Sequence, residues 1–206
     1  MIKYNLPLRL SRLRKNAMSR ALVRETRLHT QQLIAPLFIS EYLTEAKEIS
    51  AMPGQFQLGL NCIPEEIESL SKLSIPAVLL FGIPKQKDAC GSESMNNNGI
   101  IQQAIKKIKS VNSDMLVITD LCFCEYTDHG HCGVLDGSQI NIASTLELLG
   151  KQAVSHAEAG ADWVAPSGMT DGMVLAIRQA LDTASFHENS YFKLQCQILL
   201  VPLWAF

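Results

Sequence analysis

Between Asp120 and Gly133 the chain reads DLCFCEYTDHGHCG, which sets Cys122, Cys124 and Cys132 beside His129 and His131. Thiolate sulfur and imidazole nitrogen are the donors that a tetrahedral Zn²⁺ takes. The segment has to turn for all three sulfurs to converge on one ion, and Gly130 and Gly133 supply backbone freedom for that turn. Three thiolates leave one zinc position for water or substrate, the catalytic pattern, whereas a histidine in the fourth place closes a structural site. The residues leave both readings open. The two histidines can instead orient the site from outside the ligand set. Cys62 and Cys90 have no such company and read as structural.

Two further positions have functional and ordinary readings. Asp120 ends an apolar run where a barrel places functional carboxylates, and it also suits a turn or helix cap. Ser167 lies in APSGMTDG and offers a hydroxyl to a substrate. Ser, Thr and Asp ahead of a helical pattern are also ordinary caps, and Thr170 or Asp171 is expected to cap the next helix. The stretch from Lys87 to Glu93 lacks phosphate-loop spacing and reads as a polar loop.

Elements that position these groups follow from periodicity. Buried strands are expected at 32–39, 76–82, 115–120 and 162–166. Between them, Ile100, Ile101, Ala104, Ile105 and Ile108 fall on one helical face. Leu146, Leu149, Ala153 and Ala157 form another, stopped by Gly160. Ile67, Leu70 and Leu73 suit a third, and Val174, Ile177 and Leu181 a fourth. Apolar strands alternating with helices predict an α/β fold with a helix-covered parallel sheet, either doubly wound or a barrel. Both architectures gather ligand-binding residues past the C-terminal strand ends.

Composition bounds the rest. With 206 residues, 47% hydrophobic and 18% charged, the chain can bury a sizeable core and is neither disordered nor fibrous. No apolar run approaches the ~20 residues of a membrane helix, so no membrane partner is expected. No signal peptide opens the chain, and the expected location is the cytoplasm. Six cysteines are too few for a disulfide-dense secreted scaffold. Charge is uneven: residues 1–30 hold eight basic residues against Glu25 alone, and the remainder holds ten basic against nineteen acidic. Such an arm suits nucleic acid, a transit peptide or the acidic body of a neighbouring subunit. Without aromatic interleaving or a helix-turn-helix pattern nucleic acid is set aside, and subunit contact is favoured.

The blocks RLSRLRKN, LIAPLFI, LLFGIPKQKDACGSES, VITDLCFCEYTDHGHCGVL and WVAPSGMTDGMVLAIRQALD resemble the porphobilinogen synthase (5-aminolevulinate dehydratase) family, over about residues 7–188. The resemblance implies a (β/α)8 TIM barrel of which about the first half is present. It divides the chain into an arm, 1–30, for homo-oligomer contact, a half-barrel, 31–188, and a tail, 189–206, outside the family pattern. It implies condensation of two 5-aminolevulinate molecules to porphobilinogen with loss of water, a step of tetrapyrrole (heme) synthesis. By the same resemblance Cys122, Cys124 and Cys132 hold a catalytic Zn²⁺, and Asp120 and Ser167 fall at active-site positions. Gly168, Thr170 and Met173 depart from the Asp, Met and Arg of many members.

The family also needs two lysines, one of which turns a substrate keto group into an electrophilic iminium. Neither is matched here, and Lys193 sits in unrelated surroundings. Codons for residues 189–206 can be chosen so that reading one nucleotide later spells IPILSYSAKYCSCLYGPF, the missing family segment. A frameshift near Asn189 is therefore expected, and with it a chain inactive as it stands. The alternative is a non-catalytic zinc-binding fragment that associates with full-length subunits.

Overall fold

The computed structural model describes residues 10–192. Residues 1–9 of the expected arm and 193–206 of the tail, Lys193 included, lie outside the described residues. The described arm holds a 3-10 turn, Leu10–Arg14, then α1 (Ala17–Leu22) and a second turn, Thr30–Gln32. Asn16 caps α1 by accepting from the Ser19 amide at 2.8 Å. Side chains 11–33 are exposed except for half-buried Ser19.

The body follows in the order β1 (Ile34–Ser40), β2 (Lys47–Glu48), β3 (Phe56–Leu58), α2 (Ile63–Lys72), β4 (Ala77–Ile83), α3 (Ile100–Val111) and β5 (Leu116–Leu121). Then come β6 (Leu135–Asp136), β7 (Gln139–Ile140), α4 (Ile142–Ala159), β8 (Trp163–Pro166), α5 (Met173–Thr183) and β9 (Ser190–Tyr191). Every strand and helix expected from periodicity is present. The short β2–β3 and β6–β7 pairs are additional, too brief to show alternation.

Strand order and helix placement together bear on the two parallel architectures. β1, β4, β5, β8 and β9 lie side by side, all parallel and in chain order. β3 joins the other side of β1 in parallel, with β2 antiparallel beyond it. A doubly wound sheet reverses its order at a switch point. Here β3 and β4 lie on opposite sides of β1, so order alone fits both, but α2, α3, α4 and α5 all cover one face, as in a barrel, and among the described residues the strands stop as an open sheet. Residues 190–191, past the expected boundary at 188, take the fifth parallel place by pairing Ser190 with Trp163 and Tyr191 with Val164.

Alternation along the strands makes two faces. Leu37, Ile39, Val78, Leu80 and Val117 pack on Ile63, Ile67, Ile105 and Ile108 of α2 and α3. Each such isoleucine stabilises by about 1.5–3 kcal/mol when fully buried. Leu121 and Val164 pack on Leu149 and Ala153 of α4 and on Ile177 and Leu181 of α5. The opposite face carries Ala77, Leu79, Ile118 and Ala165, with half-buried Phe81, Leu116 and Trp163. Two-residue spacing continues this inner face from Ile118 to Asp120 and from Ala165 to Ser167.

Of three local expectations, one holds and two need correction. Leu73 is not on the buried face: α2 ends at Lys72, and Leu73 is 58% exposed. Gly160 does stop α4, in a left-handed conformation with φ 106°. Neither Thr170 nor Asp171 caps α5: Gly172 occupies that place with φ 80° and no side-chain bond, while the Met173 amide reaches the Thr170 carbonyl at 3.2 Å. A left-handed turn favours glycine, and here it leaves the polar side chains ahead of it free of the helix.

Candidate metal centre and active site

Cys122 follows the end of β5, and the chain then turns sharply. The Tyr126 and Thr127 amides both donate to the Phe123 carbonyl at 2.8 Å. Phe123 and Tyr126 are buried at this turn, as is Cys122, while Cys124 and Cys132 are half-buried. The Thr127 hydroxyl donates to the His131 carbonyl at 2.9 Å, bringing the next residue, Cys132, back toward the strand end. The Cys122, Cys124 and Cys132 sulfurs all lie within 4.8 Å of one another, and Cys122 and Cys124 approach to 3.3 Å. A tetrahedral ion with Zn–S bonds of about 2.3 Å sets its sulfurs about 3.8 Å apart, so only small rotations close the trio on a metal. The trio can hold a metal ion.

Neither histidine joins it. The described groups of potential ligands around these sulfurs contain no imidazole. His129 Nδ1 accepts from the His131 amide at 3.1 Å and its Nε2 stands 3.2 Å from the Ala89 carbonyl. His131 is exposed, 5.5 Å from the His129 ring. The fourth position is therefore not closed by a histidine of this segment. Glu125 comes closer than sequence reading suggested: the Cys124 thiol donates to its Oε2 at 3.2 Å, and it lies within 4.8 Å of a set with Asp120 and Cys122. Its adjacency to Cys124 was the only signal.

Crowded thiols share their protons unequally. The contact with the Cys124 side chain pulls the Cys122 thiol down to about 6, opposed by burial and helped by the Cys124 amide. The same contact, together with burial, pushes Cys124 well above its ordinary value. Burial, then the contact with Cys122, pushes Cys132 up to about 11. A bound cation would relieve this arrangement by replacing the shared protons. Asp120 is shifted more by its surroundings than by any one partner. Burial pushes its carboxyl up to about 8, the Ser167 side chain pulls the other way, and the charges of Glu125 and Cys122 add to the rise. Its Oδ1 is buried without a hydrogen-bond partner.

Asp120 pairs with Ala165 across the β5–β8 ladder, and the Ser167 amide reaches the Leu121 carbonyl at 3.4 Å. That register brings the two sequence-predicted side chains to adjacent strand ends. A cavity of about 530 Å³ is lined by Cys132, Ser167, His131, Ile140, Ile142 and Met169, among others. Its size suits a small molecule. Of the other cysteines among the described residues, Cys62 points its thiol at the Thr44 carbonyl and Cys90 at Asp88, apart from the trio. Among the described residues no helix is long and apolar enough to cross a membrane.

The comparisons with known proteins agree with this geometry. Residues 8–192 match the family described as delta-aminolevulinic acid dehydratase. A protein of that name from Ruminiclostridium josui is 50% identical over 85% of this chain and 85% of its own length. The Archaeoglobus fulgidus protein is 49% identical over 88% of this chain but only 56% of its own. The Helicobacter pylori protein is 50% identical, and 55% of its length is covered. A crystal structure of the Toxoplasma gondii enzyme in complex with the reaction product porphobilinogen superposes with a TM-score of 0.88 at 34% identity, covering 93% of this chain and 55% of that one. The chain thus spans about half the length of several relatives it matches. With helices on one face of a parallel sheet, the sulfur trio at a strand end and a family match over residues 8–192, the chain belongs to the delta-aminolevulinic acid dehydratase family.

Proposed function

We propose that this chain is the metal-binding half of a porphobilinogen synthase, holding Zn²⁺ on Cys122, Cys124 and Cys132 with Asp120 and Ser167 facing the same strand ends. The observation that carries this reading is the convergence of three sulfurs within 4.8 Å. An all-sulfur set selects soft or borderline ions over magnesium or calcium. Bound there, zinc would supply Lewis-acid polarisation of a substrate oxygen. Asp120, protonated near neutrality by its burial, is suited to hold or release a proton beside the trio. Ser167 offers a hydroxyl to a ligand in the shared cavity. The substrate of the reading is 5-aminolevulinate.

The lysines that form the substrate imine in the family have no counterpart in this sequence, so the chain by itself is expected not to make porphobilinogen. The division into an arm (1–30), a half-barrel (31–188) and a frameshifted tail (189–206) belongs to the same proposal. The arm's exposed Met18, Leu22 and Leu28 favour burial against another subunit of a homo-oligomer. The second reading, a non-catalytic zinc-binding fragment that joins full-length subunits, has the same metal centre and is favoured by the short lineage of strands.

Two measurements test these statements. Native mass spectrometry with chelator titration should find one zinc per chain, lost when Cys122, Cys124 or Cys132 is changed to Ser. No metal in the unaltered chain rejects the centre. Borohydride trapping with labelled 5-aminolevulinate should leave this chain unmodified and label a version translated in the next frame from residue 189. A stoichiometric adduct on the present chain rejects its assignment as inactive.

A further inference from the structure

The loop between β4 and α3 reads in sequence as a plain polar connection, yet it is bonded repeatedly to the cysteine segment. Asp88 folds the loop with its carboxylate. Its Oδ1 accepts from the Cys90 and Ser92 amides, each at 3.0 Å, and from the Cys90 thiol at 3.4 Å, while Oδ2 accepts from the Ser92 hydroxyl. The backbone of the same residue reaches the other way. Its amide donates to the Tyr126 carbonyl at 3.3 Å and its carbonyl accepts from the Asp128 amide at 3.2 Å, a parallel bridge opposite Thr127.

Thr127 stands between Cys124 and Cys132, and its hydroxyl holds the His131 carbonyl at 2.9 Å. The Asp88 backbone therefore holds the residues on either side of Thr127, and the Thr127 hydroxyl in turn holds the residue before Cys132. Two neighbouring contacts brace it. The Ala89 carbonyl meets His129 Nε2 at 3.2 Å. Gly91, with φ +65°, approaches so closely that a Cβ there would stand 3.0 Å from the Phe123 ring and 3.2 Å from the Tyr126 Cβ.

We propose that Asp88 is a positioning residue of the sulfur centre: by shaping the 84–95 loop it clamps Thr127 and so fixes where Cys132 returns toward Cys122 and Cys124. The inference rests on the metal reading given above. A carboxylate is suited to the task because it accepts on both oxygens, and here every partner is a donor. An amide in its place turns one acceptor into a donor facing the Ser92 hydroxyl. Outer partners that hold metal ligands in place commonly change affinity 10–100-fold when removed.

The test uses the whole 206-residue chain and Co²⁺, whose thiolate charge-transfer absorbance reports sulfur coordination directly. Asp88→Asn should weaken Co²⁺ binding by about ten- to a hundred-fold and reduce that absorbance. The milder Ser92→Ala should shift both in the same direction by less. In the metal-free chain, Asp88→Asn should speed hydrogen exchange at the Asp128 amide, with β4 and β5 protection retained. Unchanged affinity and unchanged exchange in both variants overturn the proposal. Should Asp88→Asn fail to fold, Ser92→Ala decides by the same two readouts. Should the unaltered chain take up no cobalt, the metal reading falls, and exchange at Asp128 alone decides whether Asp88 clamps the segment.

Discussion

Gly133, the residue after Cys132, lies against α4 so closely that a Cβ would meet the Thr145 hydroxyl oxygen at 2.7 Å and the Ile140 side chain at 2.9 Å. Thr145 is buried, and its hydroxyl accepts from the Val134 amide at 3.1 Å, so it has little room to yield. Gly133→Ala should therefore displace Cys132 and weaken metal uptake about tenfold, read by competition with a chromophoric chelator; unaltered uptake would mean that the segment adjusts freely. A second residue reports on pH. His156 is fully buried in α4, with Nδ1 2.9 Å from the Thr119 hydroxyl, and burial holds its imidazole down at about 4. The native state then excludes a proton that the unfolded chain takes up. This contribution to stability is complete above about 6.5 and is lost as pH falls toward 4. Thermal midpoints of the metal-free chain should fall over that window, and His156→Gln should flatten the fall whatever it does to the midpoint at neutral pH.

At the scale of elements, the ends of α3, β5 and β8 are tied through one carboxylate. Asp162 Oδ2 accepts from Lys109 Nζ and from the Val117 amide, both at 2.7 Å, and the Asp162 amide donates to the Val117 carbonyl at 2.9 Å. Both side chains of the ion pair are partly exposed, so the pair itself is a minor term. The larger loss on Asp162→Ala is an amide left without its acceptor, about 1–3 kcal/mol. A urea midpoint unchanged by this substitution would show that water replaces the carboxylate without cost. The helix pair α4–α5 depends on a small residue instead: a Cβ on Gly150 would come within 2.9 Å of the Ala180 Cβ. These ties were not legible in the sequence. Helical and strand periods announce which face is buried, as Ile105 and Ile108 did, but not which polar group lies across from which.

At the scale of the whole molecule, the inner sheet face of the described residues keeps large apolar side chains partly open to solvent. Phe81, Leu116 and Trp163 are half-buried there, and the described sheet ends at β9 and at the short β2. Open parallel edges beside apolar side chains favour pairing between chains. The 206-residue chain taken alone should self-associate as concentration rises, seen by light scattering. A monodisperse monomer at high concentration would mean that residues outside 10–192 cover that face.

The sequence by itself determined the elements and the donor set. Apolar periods placed the strands and helices to within a few residues, and three cysteines in eleven residues, with Asp120 and Ser167 after apolar runs, marked the chemistry. Both signals are local, carried by spacing along the chain. Tertiary structure decided what depends on registers and bonds between distant segments. It laid all four helices of the body on one face of the sheet, left the histidines out of the sulfur trio and tied Asp88 to the strand of chain around Thr127. Each of these joins residues whose separation is fixed by the packing of helices on the sheet, and no spacing along the chain encodes that distance.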